Sequence, residues 1–269
     1  MEVCAMAVGE IGADGGIRAI GRGLKVLQAI NHHRSLSMTS IASICGLPYP
    51  TACRIVDTLI AEQMIEREQT RKHYRPTALV RTLSAGYQPA DDLMVACRPH
   101  IERLTRDVRW PISVCTRVGM SMMIRESTHA IAPYTLNLYH PGYTMPLLGS
   151  SSGKVQLAFS SEADRESVLA PLRTRNDTAA ARIVTRLETE FAVVRGQGFA
   201  SFDRIRHTAN PGKTSAISVP VLIDGLCQGT VTLAFFSSSM ILADAVRAYL
   251  TPLKATAVAI ASDLLKLRG

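Results

Sequence analysis

The feature that most constrains this chain is a pair of short helical patterns separated by one glycine and two prolines. Ser37-Met38-Thr39 offers capping hydroxyls ahead of Ser40-Ile41-Ala42-Ser43-Ile44-Cys45, which predicts a short helix halted at Gly46. Pro48 and Pro50 then precede Thr51 to Ile60, where Pro50 suits a first helical position and Ala52, Ile55, Val56, Leu59 and Ile60 recur on one face. Two helices joined by a glycine-containing turn make a helix-turn-helix. Ahead of them, Gly21 to His33 sets Leu24, Leu27 and Ile30 in one apolar stripe with basic residues opposite, predicting a third helix. Behind them, Met64 to Glu68 and His73 to Pro76 flank Gln69 to Lys72, a β-hairpin with a basic tip that reads as a wing.

Charge says what such a head would touch. The chain carries a net charge of +8, and between Arg18 and Arg75 nine Lys and Arg face four Asp and Glu, so most of the excess sits in the first quarter. A basic winged head is built for duplex DNA, whose major groove admits one helix with its N-terminal side chains against the base edges. Tyr49, Thr51, Cys53 and Arg54 lie off the apolar face and are the candidate readers. Arg54 can pair with both acceptors of a guanine or grip a phosphate, and both uses stay open. Tyr49 serves equally as a turn residue packed on the head, and Cys53 as a small helix residue. Arg22 on the first helix, with Arg71 and Lys72 at the wing tip, suits phosphates or the minor groove.

Beyond the head, a helical pattern from Thr77 to about Gln88 predicts a linker helix. The expected division is a variable terminus over 1–16, a winged helix-turn-helix domain over 17–76, a linker over 77–90 and an α+β domain with an antiparallel sheet over 91–269. In that last part helices are expected over Leu93 to Val108, Ser152 to Ser160, Ala179 to Arg195 and Ala243 to Leu267. Hairpins are expected from Ser113–Val118 with Met122–Arg125, and from Ser215–Ile223 with Gly229–Phe236 across the turn Asp224-Gly225.

Several classes are disfavoured. Six cysteines, at 4, 45, 53, 97, 115 and 227, show neither a C-x-x-C pair nor histidines at zinc spacing, so neither a disulfide framework nor a metal or redox cofactor is expected. The N-terminal segment lacks a basic region followed by an apolar run, and the apolar stretch Ile217 to Phe236 is broken by Pro220, Asp224 and Gly225. A cytoplasmic protein without membrane association is the expectation.

The runs IRAIGRGLKVLQAI, SIASICGLPYPTACRIVDTLIAEQMIEREQTRKHYRPT, PLLGSSSGKVQLAF and TSAISVPVLIDGLCQG resemble the IclR family of bacterial transcription regulators over nearly the whole chain from Arg18. RWPISVCTRVGMSMMIRESTH further resembles the branch that activates catabolism of phenylpropionate-type aromatic acids. The resemblance implies a winged head, a linker helix and a GAF-like effector domain, with operator DNA and a small organic acid as partners and homodimers or dimers of dimers as the assembly. It places the effector against Tyr143, Met145, Leu147, Gly149, Ser150 and Ser151, and against Asp203, Ser215, Ala234 and Phe236 of the late strands. Ser215 stands where many members have Cys, and Ala234 and Phe236 where some glyoxylate-sensing members have serines. The resulting pocket is less polar and suits an aromatic or extended ligand. A buried carboxylate needs a charge-assisted partner, for which Arg125, His129, Arg204 and Arg206 are the candidates, Arg125 first. Arg125 reads equally as a surface partner of Glu126, His129 as a loop histidine, and Met145 and Leu147 as plain core.

Two other readings compete. Gly149-Ser150-Ser151-Ser152-Gly153 matches the G-x-S-x-G elbow of serine hydrolases, but Pro146-Leu147-Leu148 makes a poor preceding strand and His207 is the only histidine after His140. The second is a helix-turn-helix protein whose large domain dimerises and binds no ligand.

Overall fold

The computed structural model describes residues 17–86, 92–134, 139–174, 178–203 and 213–269. These divide into two compact units that part near residue 90.

The first unit opens with α1 (Arg18–His33), which buries Val26, Leu27 and Ile30. The expected stripe is displaced here: Leu24 is 52% exposed, because at about 100° per residue it turns outward with Ile17 and Ile20. Helix α2 (Met38–Cys45) starts where the Ser37 hydroxyl accepts from the Ser40 amide at 3.2 Å. It stops because Gly46 adopts φ 62°, which lets the Leu47 amide reach the Ala42 carbonyl and the Gly46 amide the Ser43 carbonyl. Helix α3 (Tyr49–Ala61) follows after one turn, with Pro50 in its first turn, and buries Ala52 and Val56 against Ile30, Ile41 and Cys45. Ile55 and Leu59 are half-buried, and Ile60 points outward.

Strands β2 (Ile65–Arg67) and β3 (His73–Pro76) form the expected hairpin, with Arg67 opposite Tyr74. A two-residue strand, β1 (Leu36–Ser37), adds to the other edge of β3. The linker differs from expectation. Ala78–Ser84 is a 3-10 helix capped by the Thr77 hydroxyl, and it buries no residue fully. Residues 87–90 of the expected linker lie outside the described residues.

The second unit is a six-stranded antiparallel sheet between two helical layers. Its order is β6-β5-β4-β9-β8-β7, from β4 (Ile112–Val118), β5 (Ser121–Ser127), β6 (Thr144–Pro146), β7 (Ala200–Phe202), β8 (Thr214–Ile223) and β9 (Leu226–Phe236). Alternation along the strands divides the faces. Ile112, Val114, Ile217, Val219, Val221, Val231, Leu233 and Phe235 pack under α4 (Asp92–Val108) and α8 (Leu242–Arg268). Cys115, Met122 and Ile124 pack under α5 (Ser151–Ala158), α6 (Glu162–Arg173) and α7 (Thr178–Gln197). Sequence periodicity missed α6, β6 and β7. The two strands have three residues each, and five of the twelve residues of α6 are charged.

Candidate functional site

In the head, α3 presents Tyr49 and Arg54 to solvent, with Thr51 and Cys53 half-buried beside them. The exposure of Tyr49 is 53%, so it does not serve as a packed turn residue. Its phenol is held above the ordinary value of 10.0, first by the neighbouring Cys53 thiol. Arg22 is exposed on α1, and Arg71 and Lys72 are exposed between β2 and β3. Arg75 is paired with Glu66 across the hairpin at 2.6 Å. Helix α3, whose N-terminal residues carry the exposed arginine and tyrosine, is thus held from behind by α1 and α2, with a basic wing tip in the same unit.

In the second unit the geometry gathers most of the expected effector residues on the α5 side of the sheet. Met145 lies opposite Met122 in the β5–β6 pair, and Tyr143 packs on the same core. Leu147 is fully buried and is core; its carbonyl lies where a Cβ on Gly153 would be 1.7 Å away, so only glycine lets α5 settle there. The Gly149 amide donates to the Pro146 carbonyl at 3.3 Å, leading the chain into α5. The Ser150 hydroxyl caps α5 by accepting from the Gly153 amide at 3.1 Å. Ser151, 3% exposed, bonds the Ser218 hydroxyl at 2.8 Å, and Ser218 bonds Thr232 at 2.8 Å. That chain of hydroxyls, with Ser113 next in register and bonded to Ser127, runs across the sheet beneath the N-terminus of α5. Ser218 and Thr232 were absent from the sequence-derived set, although their period-two spacing with Ala216 and Ala234 carries the signal.

Two expected strand residues fall elsewhere. A β-bulge opposite Val221 and Leu222 puts an extra residue, Gln228, into β9, and beyond it Ala216 meets Ala234 and Ser215 meets Phe235. Alternation along β8 runs unbroken through Val221, Val219 and Ile217, all on the α4/α8 side. Ser215 consequently lies on the α4/α8 side, where it donates to Asp203 at 2.8 Å and shares a bond with Ser237. Ala216 and Thr214 take the places on the α5 side, together with Ala234, while Phe236, opposite Thr214, packs on Trp110 and the α4/α8 core. Tyr139 bonds Thr214 through its phenol and packs at a tilt against Tyr143, with ring centres 5.5 Å apart. Burial, reinforced by Tyr139, pushes the Tyr143 phenol up to about 12.

The expected cation is also displaced. Arg125 sits where the β4–β5 register shifts, and its guanidinium reaches the Thr116 hydroxyl at 3.3 Å on the side away from Cys115 and Ile124. Glu126 pairs with Arg98 at 2.7 Å. His129 is half-buried in the loop after β5, near His140. Arg204, Arg206 and His207 lie outside the described residues. The G-x-S-x-G serine is buried and bonded to the Ser218 hydroxyl, which is no base to activate it. Among the described residues no cluster of His, Cys, Asp or Glu is placed to hold a metal ion, and no helix is long and apolar enough to cross a membrane.

This two-part architecture has relatives. The "HTH-type transcriptional regulator TtgV" of Pseudomonas putida is 25% identical over 71% of this chain and 73% of its own length. The regulator TsaQ1/TsaQ2 of Comamonas testosteroni is 26% identical over 58% of this chain, a match spanning 57% of that relative. Among solved structures, an IclR family regulator from Brucella abortus aligns with a TM-score of 0.62 at 20% identity over 97% of this chain and 98% of its own. An IclR homolog from Microbacterium hydrocarbonoxydans complexed with 4-hydroxybenzoate aligns at 0.59 and 20%, over 92% and 99%. Residues 19–69 match the IclR helix-turn-helix domain and residues 87–262 the bacterial transcriptional regulator IclR C-terminal domain, so the chain belongs to the IclR family of DNA-binding transcriptional regulators.

Proposed function

We propose that this regulator controls a catabolic operon by sensing a small aromatic acid, with a head over 17–76, a linker over 77–90 and a sensor over 91–269. Arg54, Tyr49 and Thr51 read the operator in the major groove, while Arg22, Arg71 and Lys72 hold phosphates or the minor groove. The exposed stripe Ile17, Ile20 and Leu24 on α1 suits burial against a second copy, in keeping with a homodimer on two half-sites.

One observation carries the ligand reading. On the α5 face of β8, Thr214 with the Tyr139 phenol stands at one end and Ser218 with Ser151 at the other, about 13 Å apart at ~3.3 Å per residue. Between them lie Ala216 and, opposite it on its two sides, Ala234 and Phe202. A ring fits over the two alanines, its carboxylate toward Ser151 and the first turn of α5, where amide groups favour an anion without any buried cation. A phenol or tail would reach Tyr139 and Tyr143. The solved relative that holds 4-hydroxybenzoate supports this ligand class. The hollow bounded by Tyr139, Thr214, Ala234 and Phe236 is about 10 Å³, so binding a ring requires Tyr139 or Phe236 to turn aside. A sensor that only dimerises would also show so small a hollow.

Thermal unfolding with hydroxybenzoates, phenylpropionates and short oxoacids separates the two readings, since a ligand that binds only the folded state raises its stability. The aromatic acids should raise the melting temperature, and Ala216→Leu, which fills the gap, should abolish the rise. If no acid shifts the transition of a protein that still binds DNA, the sensing claim fails for these classes.

A further inference from the structure

A larger concavity of the sensor lies elsewhere, at the end of the sheet beyond Trp110. It encloses about 720 Å³, within the ~300–1,000 Å³ typical of small-molecule sites. Trp110 is its inner wall, only 6% exposed, with Tyr134 at 5.0 Å and Phe236 at 5.7 Å between ring centres. Tyr249 and Met240 line it from α8 and the turn before that helix. The mouth carries two charges, Arg109 and Asp107. Arg109 ends α4 in a left-handed turn, φ 66°, its amide donating to the Thr105 carbonyl at 2.8 Å. That turn sends Trp110 inward and leaves the Arg109 guanidinium 5.5 Å above the Tyr134 ring. Among the described residues no carboxylate is within ion-pair distance of Arg109, Asp107 included.

We propose that this groove is a second ligand site, for a single-ring aromatic monocarboxylate. An aromatic floor takes the ring by offset and edge contacts. The unpaired guanidinium at the rim takes the carboxylate in a charge-assisted bond and is already oriented by its stack on Tyr134. The Asp107 carboxylate beside it repels a second negative charge, which selects monoanions over dicarboxylates and phosphates. This site is distinct from the one over Ala216 and Ala234 and does not depend on it. The two share one wall, because Trp110, Tyr134 and Phe236 also bound the 10 Å³ hollow on the effector side. A ring lodged in the groove braces that wall and thereby changes how readily Phe236 turns aside.

Trp110 is the chain's single tryptophan, so its fluorescence reports the groove without labelling. The intact protein is titrated with phenylacetate and 3-phenylpropionate, with neutral benzyl alcohol and dianionic phthalate as comparisons. The monocarboxylates should give a saturable change, with both comparisons weaker by about tenfold or more. Arg109→Gln should weaken phenylacetate about tenfold, Arg109→Lys should restore part of that, and Ala248→Phe, at an exposed groove position, should remove the response while the circular dichroism melt is kept. The proposal is overturned if benzyl alcohol binds as well as phenylacetate, if the Arg109→Gln and Ala248→Phe proteins titrate like the parent, or if no monocarboxylate alters the signal. It is equally overturned if the Trp110 signal changes with protein concentration alone, which would assign the groove to a second copy. A melting shift that survives Ala248→Phe and is lost in Ala216→Leu belongs to the effector site, whereas a Trp110 response lost in Ala248→Phe and kept in Ala216→Leu upholds the groove even where the effector reading fails.

Discussion

The head and the sensor place their chemistry in opposite ways. In the head, the side chains assigned to DNA stand outside a small core and need only a rigid helix behind them. In the sensor, the groups assigned to the site over Ala216 and Ala234 are partly or fully buried, and each depends on a strand register or a helix seat. The difference shows why the two halves respond differently to the same insult. A surface change in the head should alter binding and leave the fold intact, whereas a change in the sensor should register first as lost stability.

The strongest way to break that comparison is Gly153→Val. A Cβ there meets the Leu147 carbonyl at 1.7 Å, so α5 must leave its seat, at a cost of about 3 kcal/mol or more. The sensor's unfolding transition should collapse while the head's persists, and a protein melting like the parent would remove the claim that this contact seats α5.

High pH sharpens the contrast next. Burial holds the Cys115 and Cys227 thiols neutral in the fold, raising each from 9.0 to about 12. Their stabilising contribution is complete below pH 9, where both states keep the proton, and is lost as pH climbs through 12, because only the unfolded chain ionises readily in between. The sensor's melting temperature should therefore fall faster than the head's between those limits. Parallel decline in both transitions would contradict it. The smallest effect is expected from Ser151→Ala, which deletes one member of the buried hydroxyl chain and leaves Ser218 bonded to Thr232. A loss of about 1 kcal/mol from the sensor, read by denaturant midpoint, is expected.

The same contrast explains what the sequence disclosed. Caps, prolines and Gly46 are local signals, and they located α2, α3 and the wing within a residue or two. The Leu24 stripe was misjudged because a three-residue spacing drifts around a helix, so that Val26 rather than Leu24 ends up inside. In the sensor, alternation identified β4, β5, β8 and β9. Ser215 was carried over from the family resemblance and not from alternation, which sets it on the face of Ile217 and Val219 and leaves Ala216 on the other. Arg125 sits at the β4–β5 register shift, which no composition signal marks. Contacts between distant segments, such as Tyr139 with Thr214 or Ser151 with Ser218, have no sequence signature at all.

Everything functional rests on the N-terminal end of α3 entering duplex DNA. The most direct test is the affinity of the intact protein and its Arg54→Ala variant for promoter fragments from its own genomic neighbourhood, each measured against scrambled DNA of equal length across a range of salt. If Arg54 reads a base, specific binding should weaken by roughly 10- to 100-fold with non-specific binding and the salt slope nearly unchanged. Equal loss on both DNAs would make Arg54 a phosphate contact, and a variant as tight and as selective as the parent would contradict insertion of this helix altogether.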